Sequence, residues 1–211
     1  GYGSVTVMSL DLVTKRYTTL APMITGRMYH AMAVVGRKLF VMGGINDYVL
    51  SSVECRDLET WQWTALAPMT RPRIFFAAAA LGGKIIVTGG FETEDSAECV
   101  DLVTGAWTAL APMNMPQLGH AMVSANGKLY VAGGYYGGQL LTSVECFDPM
   151  TCVWTTIAPM NEGRSSLGLA VLGDKLYAIG GSVPSGQALS SVECLDLSIS
   201  NGQWTPVASM T

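Results

Sequence analysis

His30 and His120, five cysteines and a recurring glutamate are the residues of this 211-residue sequence whose types carry chemistry most readily. A histidine beside a carboxylate moves protons, Cys/His clusters hold zinc, and an activated thiol attacks carbonyls. The spacing speaks against each. His30 and His120 share one slot of a repeat, and Phe76 and Leu167 fill it elsewhere, so the slot reads as packing. Cys55, Cys99, Cys146 and Cys194 occupy a second slot (VEC, AEC, VEC, VEC), in different units and beyond the ~7 Å a disulfide spans. Cys152 stands alone in a turn, and no CxxC occurs. Glu54, Glu98, Glu145 and Glu193 precede those cysteines as one structural set, not an acid/base pair. No catalytic residue, metal or cofactor is expected, and the chain reads as a non-enzyme.

Arginine offers different chemistry. Arg27, Arg73 and Arg164 share a slot, where Gln117 stands in the remaining unit. A guanidinium grips carboxylates in a bidentate fork. At these positions it either reaches a partner's carboxylate or braces the neighbouring loop. Arg71 and most aromatic loop residues are not repeat-wide, and a binding role fits them better.

The elements that must position these residues recur with a fixed period. Lys38–Gly44 (KLFVMGG) returns as Lys84–Gly90, Lys128–Gly134 and Lys175–Gly181, with first glycines at 43, 89, 133 and 180. A period of this length marks a repeat architecture. Each unit reads as a polar loop, a small apolar run, a Gly-containing hairpin turn and the run ending in the glycine pair. A variable loop, an alternating V-E-C-x-D strand, a turn, a Trp strand and Ala-Pro-Met follow. Four short strands per unit without helical periodicity predict twisted four-stranded sheets arranged as a β-propeller. The units span 24–69, 70–113, 114–160 and 161–211, and residues 1–23 supply the outer half of one more. The V-E-C strand should have one face in water, and each Trp should wedge between its own unit and the next.

Composition narrows the function. Charged residues are 13% and the net charge is −4, with no Lys/Arg-rich block, which argues against nucleic acid. No apolar run approaches the roughly 20 residues of a spanning helix, and no leader is visible, so no membrane partner is expected. Thiols used as packing suggest a reducing compartment, the cytoplasm.

The apolar run with its glycine pair, the V-E strand, the following Trp and the A-P-M ending resemble the kelch family over essentially the whole chain. Val144–Met160 (VECFDPMTCVWTTIAPM) is most similar to the kelch domains of BTB–kelch proteins. The resemblance implies an all-β kelch β-propeller of four complete four-stranded blades plus an outer half-blade. Such domains usually carry six blades, so the segment reads as a fragment or an incomplete ring. It also implies a protein-interaction module that captures a protein or peptide, often an acidic one, as the substrate-recognition domain of a cullin ubiquitin-ligase adaptor. The cullin-binding part would lie outside this chain. The family offers two alternatives, an enzyme acting on a sugar or other small molecule and an actin-binding scaffold. The loop before the first strand and the loop after the glycine pair share one face in this topology. Partner binding is therefore expected of Arg27, Tyr29, Asn46, Tyr48, Arg71, Arg73, Phe91, Gln117, Tyr135, Tyr136 and Arg164.

Overall fold

The computed structural model describes residues 3–183 and 186–211, and every regular element among them is a β-strand. The chain forms two compact units, residues 1–74 and 75–211. In the first, β1 (Val7–Leu10) pairs with β2 (Tyr17–Leu20). A four-stranded antiparallel sheet follows, β3 (Ala31–Val35), β4 (Lys38–Met42), β5 (Val53–Asp57) and β6 (Trp63–Leu66), in sequence order.

The second unit holds three such sheets. They are β7–β10 (Ala77–Leu81, Lys84–Thr88, Ala97–Asp101, Trp107–Leu110); then β11 (Ala121–Ala125), β12 (Lys128–Ala132), β15 (Val144–Asp148) and β16 (Val153–Ile157); and β17–β20 (Gly168–Leu172, Lys175–Ile179, Val192–Asp196, Thr205–Val207). A two-residue ribbon, β13 (Tyr135–Tyr136) with β14 (Gln139–Leu140), stands on the middle sheet. The small-residue strands β7, β11 and β17 neighbour one another, which is why Ala77–Ala80 suit that position.

Local chemistry fixes the strand ends. Gly82-Gly83 and Asn126-Gly127 both carry positive φ at both positions, the backbone of a type I′ hairpin turn. At the far turn of the first full sheet, the Asp57 carboxylate accepts the N–H groups of Glu59 and Thr60 at 2.8 and 2.9 Å. Those bonds favour the charged form and hold the carboxyl below its usual range. Asp11, Asp101, Asp148 and Asp196 cap their turns in the same way.

The cores lie between successive sheets. Ile86, Cys99, Met113, Leu129, Val131, Phe147 and Trp154 form one in the second unit. Tyr130, Val144, Met160, Leu176, Leu195 and Trp204 form the next. This packing corrects two expectations. The V-E-C strand does not meet water on one face: Val53, Glu54, Cys55 and Arg56 are all buried, and in β15 Phe147 lies in one core while Val144 lies in the next. Three tryptophans reach back to the preceding repeat, not forward to the next. The Nε1–H of Trp63, Trp154 and Trp204 donate to the Ala21, Ala111 and Ala158 carbonyls of the Ala-Pro-Met turns behind them. All five cysteines are free, and burial pushes the Cys55, Cys99 and Cys146 thiols up.

Candidate partner-binding loops

Each glycine pair is a junction. Gly43 and Gly44 have φ of 58° and 90°, backbone that side chains resist. A Cβ on Gly44 would stand 2.6 Å from the Met28 carbonyl, so the loop before β3 can approach only a bare backbone. The two loops then pair: Met28 and Ile45 exchange N–H···O bonds of 3.0 and 2.9 Å. Leu118 with Tyr135, and Ser165 with Ser182, repeat that bridge in the second unit. At these three junctions the loop before the first strand and the loop after the glycine pair therefore emerge together.

Under this bridge sits a buried carboxylate. Glu54 accepts the N–H groups of Ile24 and Thr25 at 2.8 and 3.0 Å and the Arg27 guanidinium at 2.6 Å. Arg27 also donates to the carbonyls of Gly43 and Ser52 and to Ser52 Oγ. In the last unit Glu193 accepts from Asn161 N, Asn161 Nδ2, Glu162 N and, at 2.8 Å, Arg164. Arg164 reaches the Gly180 and Ser191 carbonyls and Glu162 as well. Arg73 is buried too; its N–H donates to Leu50 and its carbonyl accepts from Gly44 at 2.8 Å. Gln117 is buried with its amide nitrogen on Met113 Sδ. These four positions are braces. Arg27, Arg73, Gln117 and Arg164 do not offer a partner any side-chain surface, and the partner-binding expectation is corrected for them.

The other expected residues divide by unit. In the first, Tyr29 and Tyr48 are more than half exposed and Arg71 is exposed. Asn46 shapes its loop: its Oδ1 accepts the N–H groups of Asp47 and Tyr48 at 2.7 and 3.2 Å. In the second, Phe91 is 51% exposed, with Tyr135 and Tyr136 on the ribbon at 37% and 44%.

The histidines serve packing positions. His120 is buried and shares a 2.9 Å hydrogen bond with Thr88 Oγ1. His30 is half-buried, and burial together with the nearby Arg27 charge lowers its pKa. Among the described residues no three His, Cys, Asp or Glu side chains converge to hold a metal.

The family model described as Kelch motif matches residues 26–70, 72–114, 118–161 and 163–211. The chain belongs to the kelch family. A solved structure titled "Structure of YjhT" is similar, with a TM-score of 0.80 at 20% identity, covering 91% of this chain and 68% of that one. That likeness establishes the all-β, kelch-propeller fold. No curated protein matches the chain by sequence. No helix among the described residues is long and apolar enough to cross a membrane.

Each kelch sheet here also holds features that its sequence did not disclose. Arg56 is buried where Val100, Phe147 and Leu195 stand in the other sheets. Its guanidinium lies 5.1 and 5.5 Å from the Trp61 and Trp63 ring centres and donates to the Ala21 carbonyl. An arginine in an apolar slot beside two tryptophans was the available signal. Tyr29, Phe75, Gly119 and Ser166 share a slot with φ between 53° and 65°. Only the glycine hinted at that backbone.

Proposed function

We propose that this kelch chain is a protein-interaction module that takes its partner on the loops at the glycine ends of its sheets. The observation that carries the reading is a division of labour. The repeat-wide arginines are buried in braces, while Tyr48, Phe91, Tyr135 and Tyr136, whose residue types do not recur through the repeats, are exposed on the variable loops. Large rigid aromatics on a fixed framework are the residues that anchor interfaces. The finer reading is the substrate-recognition domain of a cullin ubiquitin-ligase adaptor acting in the cytoplasm. Its support is the V-E-C-F-D-P…W-T…A-P-M run over Val144–Met160.

The test is affinity capture from cytosolic extract, wild type beside a Tyr48→Ser/Phe91→Ser/Tyr135→Ser/Tyr136→Ser variant. A protein retained by wild type and lost by the variant is the expected result. The same proteins on both columns would overturn the loop reading. The adaptor reading fails if the wild-type partner's ubiquitination in cells is unchanged when the gene for this chain is silenced.

A further inference from the structure

We propose that the loop surface of the second unit docks a cationic segment, a stretch of Lys and Arg on a partner protein; this rests on the interaction reading above. The second unit carries four cationic side chains, Lys84, Lys128, Arg164 and Lys175, against eleven carboxylates, a net of −7. Each of the three lysines opens the second strand of its sheet, at the hairpin end opposite the glycine pair. Arg164 is buried. No exposed cation therefore stands at the glycine end among the described residues of this unit.

The carboxylates sort differently. Three are buried behind the Trp strands, four aspartates lie at the turn ends, and Glu162 is matched to Arg164. Glu92, Glu94 and Asp95 remain, on the loop after Gly90, and none of them is in an ion pair among the described residues.

These acids and the Tyr135–Tyr136 ribbon form one surface. Gln117 N donates to the Glu94 carbonyl at 2.9 Å, and the very next residue, Leu118, exchanges 3.2 and 2.8 Å bonds with Tyr135. Consecutive Cα atoms are ~3.8 Å apart and paired strands ~5 Å, so the acidic loop lies within about 14 Å of the tyrosines. Phe91 opens the acidic loop itself, half exposed. Aromatic faces attract Lys and Arg heads, and uncompensated carboxylates beside them steer the same charge and repel an acidic ligand. Arg164, the one arginine of this unit, is turned inward, so the surface left for a partner prefers a cation.

A random-peptide library displayed on phage, selected on the full chain, decides the matter. Selected peptides should be rich in Lys and Arg. Their binding should weaken about five-fold or more in Glu92→Gln/Glu94→Gln/Asp95→Asn and in Tyr135→Ser/Tyr136→Ser, with the first loss shrinking as salt is raised. Neutral or acidic peptides lost only by the tyrosine variant would overturn the cationic inference and leave the loop reading standing. Lys/Arg-rich peptides retained by either variant also overturn the inference. Peptides of any charge that bind both variants like wild type, or no selected peptide at all, overturn both.

Discussion

Loops 161–167 and 114–120 stand over equivalent buried glutamates and hold them differently. Glu193 receives two backbone N–H groups, the Asn161 amide and the Arg164 guanidinium. Glu145 receives the N–H groups of Asn114 and Met115 at 2.9 and 2.8 Å and no guanidinium, because Gln117 has turned its amide to Met113 and leaves Oε1 buried without a partner. The loop path is kept all the same: Gln117 and Arg164 both place their carbonyl on the second glycine N–H of the preceding sheet, at 3.2 and 2.8 Å. The part of the brace common to both is carboxylate-to-backbone; the guanidinium adds strength but does not define the loop.

That contrast makes measurable demands. Arg164→Ala should cost the most, about 3–5 kcal/mol, by stripping a buried carboxylate of its counter-charge. Urea unfolding reads this, and a cost near that of Gln117→Ala would erase the difference between the loops. Gln117→Arg should stabilise by about 1–2 kcal/mol, since a charge-assisted bond replaces an orphaned amide oxygen. A destabilised variant would mean that the pocket around Glu145 has closed to fit glutamine. Gln117→Ala should cost only about 1 kcal/mol in the same assay.

A smaller effect attaches to His30. The folded-state pKa of His30 lies below its ordinary 6.5. The unfolded chain therefore takes up a proton that the folded chain refuses, and this contribution is complete above that value and lost as pH falls below it. Between about pH 7.5 and pH 5.5 the unfolding midpoint of wild type should drop more than that of His30→Phe, which copies Phe76 of the next unit; equal drops would remove His30 from the account. Smallest of all, Tyr48→Ser and Tyr136→Ser should change stability by no more than about 0.5 kcal/mol. A larger loss would show that these side chains support the framework.

Much of this was legible in the chain. The four glycine pairs gave the period, and the A-P-M endings gave the unit limits, because a bare backbone and a missing N–H leave few alternatives. For Arg27 and Arg164 the sequence left brace and partner contact open. A guanidinium beside a loop has the same sequence whether it turns out or in, and only the Glu two strands away decides. Period-2 alternation told which residues of V-E-C-x-D share a face, but nothing about what covers each face. Val53 to Arg56 proved buried without exception, and alternation carries no mark of what lies against a face. Arg56 was invisible for a related reason: its partners are the two tryptophans of its own sheet and a carbonyl 35 residues back.

Three of the four variable loops close on a common pair of pins. Leu50, Leu141 and Leu189 each donate an N–H to the second glycine carbonyl of their pair, Gly44, Gly134 and Gly181, at 2.8, 2.9 and 2.8 Å. Five, six and seven residues hang between those pins. Insert length is thus uncoupled from the sheet beneath, and each loop behaves as an exchangeable cassette. A recognition specificity built on them can be rewritten one cassette at a time, by drift or by grafting, while the scaffold that carries it registers no change.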